Sequence, residues 1–258
     1  MGLRKIFSLL VLDERGLSIA INKKRKLLAL DINSRFKHTI KYGPFKGMVF
    51  SQDHWWGASD RSAMLLGIYE EEILNSLMSI PSKYNVFVNI GAADGYYSIG
   101  SLVSRKYTMS YAFEMSAKGR DIISKNATLN KVSEKLKIFG EATKDFYKEI
   151  PKKHVDKSVI LIDIEGAEFS LLNREVLEQI KKSIIFIELH DWIFKDGKKK
   201  LEILMKEIRP FFKVSTLRTA SRDLSRFSEL SEYSDSERWL IASEGRPRLM
   251  SWLRLDPK

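Results

Sequence analysis

The stretch VFVNIGAADGYYSIG, residues 86–100, decides how this chain is read. Val86 to Ile90 are rich in β-branched and aromatic side chains and predict a buried strand. The run passes directly into Gly91-Ala92-Ala93-Asp94-Gly95, and a helical stretch from Tyr96 to Arg105 follows. Small residues at 91–93 allow a ligand to approach the backbone closely, and Gly95 permits a tight turn into a helix whose first N–H groups are free. Taken singly, such a turn also occurs in nucleotide sites and in purely structural corners.

Downstream of that stretch the same alternation repeats. Short apolar runs at Ser110 to Phe113, Leu136 to Phe139, Val159 to Ile162 and Ile184 to Leu189 predict strands, with two more at Phe212 to Leu217 and Arg238 to Ala242. Helical spacing occupies Lys118 to Leu129, Glu168 to Lys181 and Lys198 to Ile208 between them, which is the pattern of parallel βαβ units. Upstream, Ala63 to Met78 carries apolar residues at helical spacing and is expected on the sheet edge. The Ser-rich stretch 219–237 offers no helix, so an antiparallel, hairpin-like ending is expected. The predicted fold is α/β: a doubly wound, mostly parallel seven-stranded sheet with an antiparallel final strand and an N-terminal helical extension. Residues 1–62 read as a basic cap and 63–258 as one catalytic domain.

Composition narrows the function. A chain of 258 residues with 44% hydrophobic side chains buries one substantial core. With no cysteine, disulfides, thiolate metal sites and a cysteine nucleophile are excluded. Arg4 and Lys5 precede the apolar run Ile6 to Leu12, but that run is short and ends at Asp13-Glu14 without a small-residue cleavage site, so a cytoplasmic location is expected. The net charge of +11 is concentrated: residues 1–48 hold eleven Lys/Arg against three acidic residues, and the remainder is nearly balanced. The cluster Lys23-Lys24-Arg25-Lys26 beside Leu27, Leu28 and Leu30 therefore suits an anionic membrane surface, an acidic substrate, or a solvated basic face. A nucleic-acid partner is not expected from a body so evenly charged.

Every predicted parallel strand ends in polar residues. Asn89 closes the first. Glu114, about twenty residues after the glycines, closes the second and has the chemistry to accept hydrogen bonds from ribose hydroxyls; an acidic cap before Ser116 is the plainer reading. Gly140-Glu141-Ala142 follows the third and is placed to read an adenine edge. The fourth ends in Asp163-Ile164-Glu165-Gly166-Ala167-Glu168, the fifth in Glu188-Leu189-His190-Asp191. In such sheets ligands lie beyond the carboxyl ends of the strands. Glu168, at a helix start, reads as a favourable charge at the positive end of the dipole. Ahead of the domain, Asp53-His54-Trp55-Trp56 either stacks on and fixes a sugar ring or anchors the N-terminal segment onto the body, with anchoring favoured.

VFVNIGAADGYYS, YAFEMSAKGRDIISKNATLN, ILIDIEGAEFSLL and IIFIELHDW occur in the order and spacing of FkbM-type methyltransferases, and this resemblance covers roughly residues 84–192. ERWLIASEGRP is similar to the close of some members. The resemblance implies a class I S-adenosylmethionine (SAM) methyltransferase fold. It implies a cofactor site at Asn89, Gly91, Ala92, Asp94, Gly95, Tyr96, Glu114, Met115, Glu141, Ala142 and Asp163. Where such enzymes usually carry Asp, this chain has Asn89, which cannot offer charge to the cofactor's ammonium, so Asp94 is the expected compensation.

The activity implied is methylation of a hydroxyl, commonly on a sugar of a polysaccharide, glycolipid or natural product. A sugar hydroxyl is too weakly acidic to ionise at neutral pH, so a base or a metal is required. Either His190 or Asp163 accepts the proton, or Asp163, Glu165, Glu188 and His190 contribute ligands to Mg²⁺. An RNA methyltransferase and a non-catalytic scaffold that kept the fold are the alternatives; no Asn-Pro-Pro-Tyr-like amine-methylating motif follows the fourth strand.

Overall fold

The computed structural model describes residues 14–258; the run Ile6 to Leu12, with Arg4, Lys5 and Asp13, lies outside the described residues. Seven strands form one sheet: β1 (Val86–Ile90), β2 (Met109–Phe113), β3 (Leu136–Phe139), β4 (Ser158–Ile162), β5 (Ile184–Glu188), β6 (Phe212–Arg218) and β7 (Ser251–Pro257). Their order is β3-β2-β1-β4-β5-β7-β6. β1 to β5 run parallel, and β7 inserts antiparallel between β5 and β6. The helices are α1 (Glu14–Arg35), α2 (Arg61–Leu65), α3 (Glu71–Ser79), α4 (Tyr96–Val103), α5 (Ala117–Leu129), α6 (Lys152–Val155), α7 (Glu168–Leu171), α8 (Arg174–Gln179), α9 (Gly197–Ile208) and α10 (Asp235–Ala242).

Both faces of the sheet are covered, which is why its central strands are continuous apolar runs and not alternating ones. Val86, Val88 and Ile90 pack with Ile160, Ile162, Ile185 and Ile187 on one face. Phe87 joins Val159, Leu161 and Phe186 on the other, with the residues of α3 and α4. After β3 the chain returns to the opposite side of β1, so the order reverses between β1 and β4. That reversal opens a crevice at the carboxyl ends of the two strands.

Several expected elements differ. Arg238 to Ala242 is not a strand: it belongs to α10, because Ser234 accepts from the N–H of Glu237 while the Glu237 carboxylate reaches back to Ser234, a capping box that starts a helix. The final strand is Ser251–Pro257, paired along its length with β5 and β6. The stretch 219–237, expected to offer no helix, thus contains the start of one at Asp235. Ala63 to Met78 is two helices, broken where Gly67 adopts φ +68°; α3 does pack against the edge strand β6. Glu168 to Lys181 is also two helices, because Asn173 caps a fresh start by accepting from the N–H of Val176.

The N-terminal segment is built into the body. Ile32, Phe36, Ile40, Phe45, Met48 and Phe50 are buried in the same core as α3 and α4. Phe45 sits edge-on to Tyr96 and Tyr97, in space that a side chain at Gly100 would fill. The basic cluster is not a uniformly solvated face: Arg25 is buried against Asp60 and the carbonyl of Ser243, while Lys23, Lys24 and Lys26 are exposed.

Candidate functional site

The loop after β1 is held from three sides. Gly91, at φ +87°, lies against the fourth strand's end, where an added Cβ would meet the Asp163 carbonyl oxygen at 1.8 Å. Its missing side chain thus serves the packing of two strand ends. The N–H of Ala93, itself at φ +49°, donates to Glu114 at 2.8 Å, and the N–H of Ser116 donates to the other oxygen of that carboxylate at 2.8 Å. Glu114 is therefore fixed, with each carboxylate oxygen accepting a backbone N–H.

Asp94 is fully engaged by its own chain. One oxygen accepts the N–H groups of Trp55 (2.8 Å) and Trp56 (3.1 Å), the other pairs with the Arg61 guanidinium at 3.0 Å, and its carbonyl accepts from Asn126 at 2.9 Å. Arg61 lies over the Phe50 ring at 3.7 Å, and burial lowers its pKa against the pull of Asp94. The tryptophans do anchor the extension, but through their backbone. The two residues remain 46% and 53% exposed. Trp55 Cδ1 and the Glu114 side chain both close on Gly119, so this indole borders the β2 carboxylate. Asp53 pairs with Lys125 at 2.6 Å on the surface, and His54 is exposed.

The residues expected to hold the cofactor beyond β1, β2 and β3 differ in exposure. Met115 is 74% exposed beside Glu114, Glu141 is exposed, and Gly140 has open space where a side chain would be. Ala92 and Tyr96 are buried, and Ala142 is half-buried in the adjoining core. Asn89 donates to Ser98 Oγ at 3.1 Å, while its Oδ1 and the Tyr96 hydroxyl are buried without partners.

Beyond β4 and β5 lies a second group. His190 is 3% exposed, with Nε2 at 3.3 Å from Glu165, 3.7 Å from Glu188 and 3.9 Å from Asp163. Its Nδ1 is 3.5 Å from Glu168. Burial opposes charge on this imidazole, but Glu168, Glu188 and Glu165 outweigh it and raise the pKa. Burial, followed by Glu188 and Glu70, raises Asp163 well above the usual carboxylate range. Glu168 does stand at a helix start, as expected, and is wholly buried. It accepts the N–H of Gly166 at 2.8 Å and of His190 at 2.9 Å, thereby joining the two strand ends.

Several residues here escaped the sequence reading. Arg246 reaches Glu70, Glu188 and Glu244 together, and Arg222 bridges Glu72 and Glu244. Glu70, in a left-handed conformation before α3, also accepts the Tyr97 hydroxyl; burial, outweighing Arg246 and aided by Glu188 and Glu244, lifts its pKa to about 8. Asn126 and Asn130 clasp the backbone of Ser51 and Val49. Asn126 stood in the quoted KNATLN motif, but nothing in one sequence reveals a partner 75 residues away.

The order β3-β2-β1-β4-β5-β7-β6 with β7 antiparallel, a glycine turn after β1 and an acidic residue closing β2 together match the fold of class I SAM-dependent methyltransferases. The family model described as the methyltransferase FkbM domain matches residues 89–218, and the chain belongs to that family. No curated protein matches the chain. Among solved structures, cofactor-bound Rv0187 from MTB is 11% identical, covering 98% of this chain and 94% of its own at TM-score 0.47. Precorrin-6y C5,15-methyltransferase from Geobacter metallireducens GS-15 is 14% identical over 73% of this chain and 89% of its own, at TM-score 0.45. The B. subtilis M1A22 tRNA methyltransferase TrmK is 12% identical over 71% and 64%, at 0.46.

Proposed function

We propose that this methyltransferase transfers the methyl group of SAM to a hydroxyl oxygen of a sugar-like acceptor, with residues 1–62 as a cap on a catalytic body at 63–258. The observation that carries the reading is the contact between Gly91 and the Asp163 carbonyl, which sets the cofactor loop beside the group of Asp163, Glu165, Glu188 and His190.

When bound, SAM supplies a methyl already activated on a sulfonium, so the protein chiefly aligns the acceptor and manages one proton. Glu114 and Met115 would hold the ribose and base, with Glu141 and Ala142 at the base edge and Asn89, Gly91 and Gly95 along the amino-acid portion. Asp163, whose carbonyl lies against Gly91 of the cofactor loop, receives the hydroxyl proton. His190, its pKa raised by neighbouring carboxylates, balances their charge and orients them. The exposed Trp55 and Trp56 offer flat apolar faces to a pyranose ring.

A second reading of the proton step rests on one spacing. Single ligand atoms of Asp163, Glu165 and His190 lie within 4.8 Å of one another, and a bound Mg²⁺ would draw them to about 4.2 Å or less. Methyl transfer from labelled SAM to a panel of saccharides, glycolipids and total RNA, with and without EDTA, tests both readings. Label on saccharide hydroxyls supports the proposal, label on RNA alone overturns it, and loss of transfer in EDTA restored by Mg²⁺ selects the metal.

A further inference from the structure

The two sides of α1 have different surroundings. Leu28, Ala29, Ile32 and Phe36 turn into the core, and the helix packs on α2 and α10. From Arg15 to Lys24 no residue is buried. Spacing of three and four residues places Arg15, Ile19, Lys23, Lys26, Leu27 and Leu30 on the side away from the body. All six are exposed, Ile19 at 61%, Leu27 at 55% and Leu30 at 55%. Arg15, Lys23 and Lys26 form no ion pair among the described residues, and no Asp or Glu occurs from residue 15 to residue 30.

We propose that this outward stripe of α1 docks on an anionic lipid bilayer. A helix lying in a bilayer interface buries apolar side chains to the level of the headgroups while its cations meet the lipid phosphates, and this stripe offers Ile19, Leu27 and Leu30 for the first and Arg15, Lys23 and Lys26 for the second. A polyanion such as RNA or an acidic polysaccharide would satisfy the cations but leave Ile19, Leu27 and Leu30 in water. Docking this face leaves α1's buried side, and the crevice at the strand ends, in place. The inference does not depend on which acceptor the enzyme methylates.

Vesicle cosedimentation of the full chain tests it, using phosphatidylcholine alone and phosphatidylcholine with phosphatidylglycerol. Partitioning is expected to be about tenfold stronger onto the anionic vesicles and to weaken in high salt. The triple variant Ile19→Ser, Leu27→Ser, Leu30→Ser and the double variant Lys23→Glu, Lys26→Glu should each lose it. Both should keep the wild-type melting temperature and SAM binding, because these side chains touch neither core nor crevice. Equal partitioning onto both vesicles overturns the proposal, as does wild-type partitioning by either variant. So does binding to RNA or heparin without binding to vesicles, or self-association of the chain abolished by the triple variant with no lipid binding.

Discussion

The Cα of Gly91 faces the carbonyl oxygen of Asp163 so closely that a methyl group on it would stand 1.8 Å from that oxygen. Through this contact the cofactor loop and the polar group beyond β4 are set by one backbone approach. Because residue 91 also adopts φ +87°, Gly91→Ala combines overlap with a strained backbone. The variant is expected to lose about 2 to 5 kcal/mol of stability and to bind SAM poorly even when folded. Urea unfolding and calorimetric SAM titration check this; an unchanged midpoint would mean the two loops separate freely.

Glu114 both closes the crevice and holds two backbone N–H groups, so its removal should be felt twice. Glu114→Ala is expected to weaken SAM binding by about 1.5 to 3 kcal/mol, typical for hydrogen bonds to a charged group. It should also lower the melting temperature of the ligand-free protein, because the N–H groups of Ala93 and Ser116 lose their acceptor. Titration calorimetry and a thermal melt separate the two effects. Full SAM affinity in the variant would remove the ribose assignment.

Glu70 gives a pH dependence whose sign can be worked out. Its folded pKa of about 8 exceeds the ordinary 4.5, so between these values the folded state binds more protons than the unfolded one. The stability it contributes is fully present below about 4.5 and is lost as pH rises through about 8. The urea midpoint of the wild type is expected to fall from pH 6 to pH 9, and Glu70→Gln, which keeps an acceptor for Tyr97, should flatten that fall. Identical slopes for the two proteins would place the titration elsewhere.

For the proton step, Asp163→Asn is expected to reduce kcat by about 10² to 10⁴ with little change in SAM affinity, as is typical when general-base help is lost. His190→Ala should reduce it less if the imidazole only balances charge. Measured with and without EDTA, the pair distinguishes a proton acceptor from a metal site: an EDTA-insensitive wild type with a disabled Asp163→Asn supports the acceptor. A fully active Asp163→Asn enzyme would leave the proton to the acceptor or to solvent.

Much of this molecule was written in local patterns. β1 to β5 are four- or five-residue apolar runs bounded by polar turns, and their alternation with helices already determined a doubly wound sheet with its polar residues at one end. Asn89, Glu114, Asp163 and His190 were visible because each closes such a run. The end of the chain was not read correctly. RWLIA has strand-like composition, and the Ser234 to Glu237 cap that makes it helical is weak until a tertiary surface accepts the helix. β7 contains Arg254, Asp256 and Pro257, and its identity comes from pairing with β5 and β6. Long-range charge pairing was equally hidden: Arg246 meets Glu70 across 176 residues, and Arg25 is buried although it sits among lysines that are not. Hydrophobic periodicity depends on near neighbours and survives in one dimension. Which charge is desolvated, and by which partner, depends on the surfaces that folding brings together, and only the tertiary structure decided it.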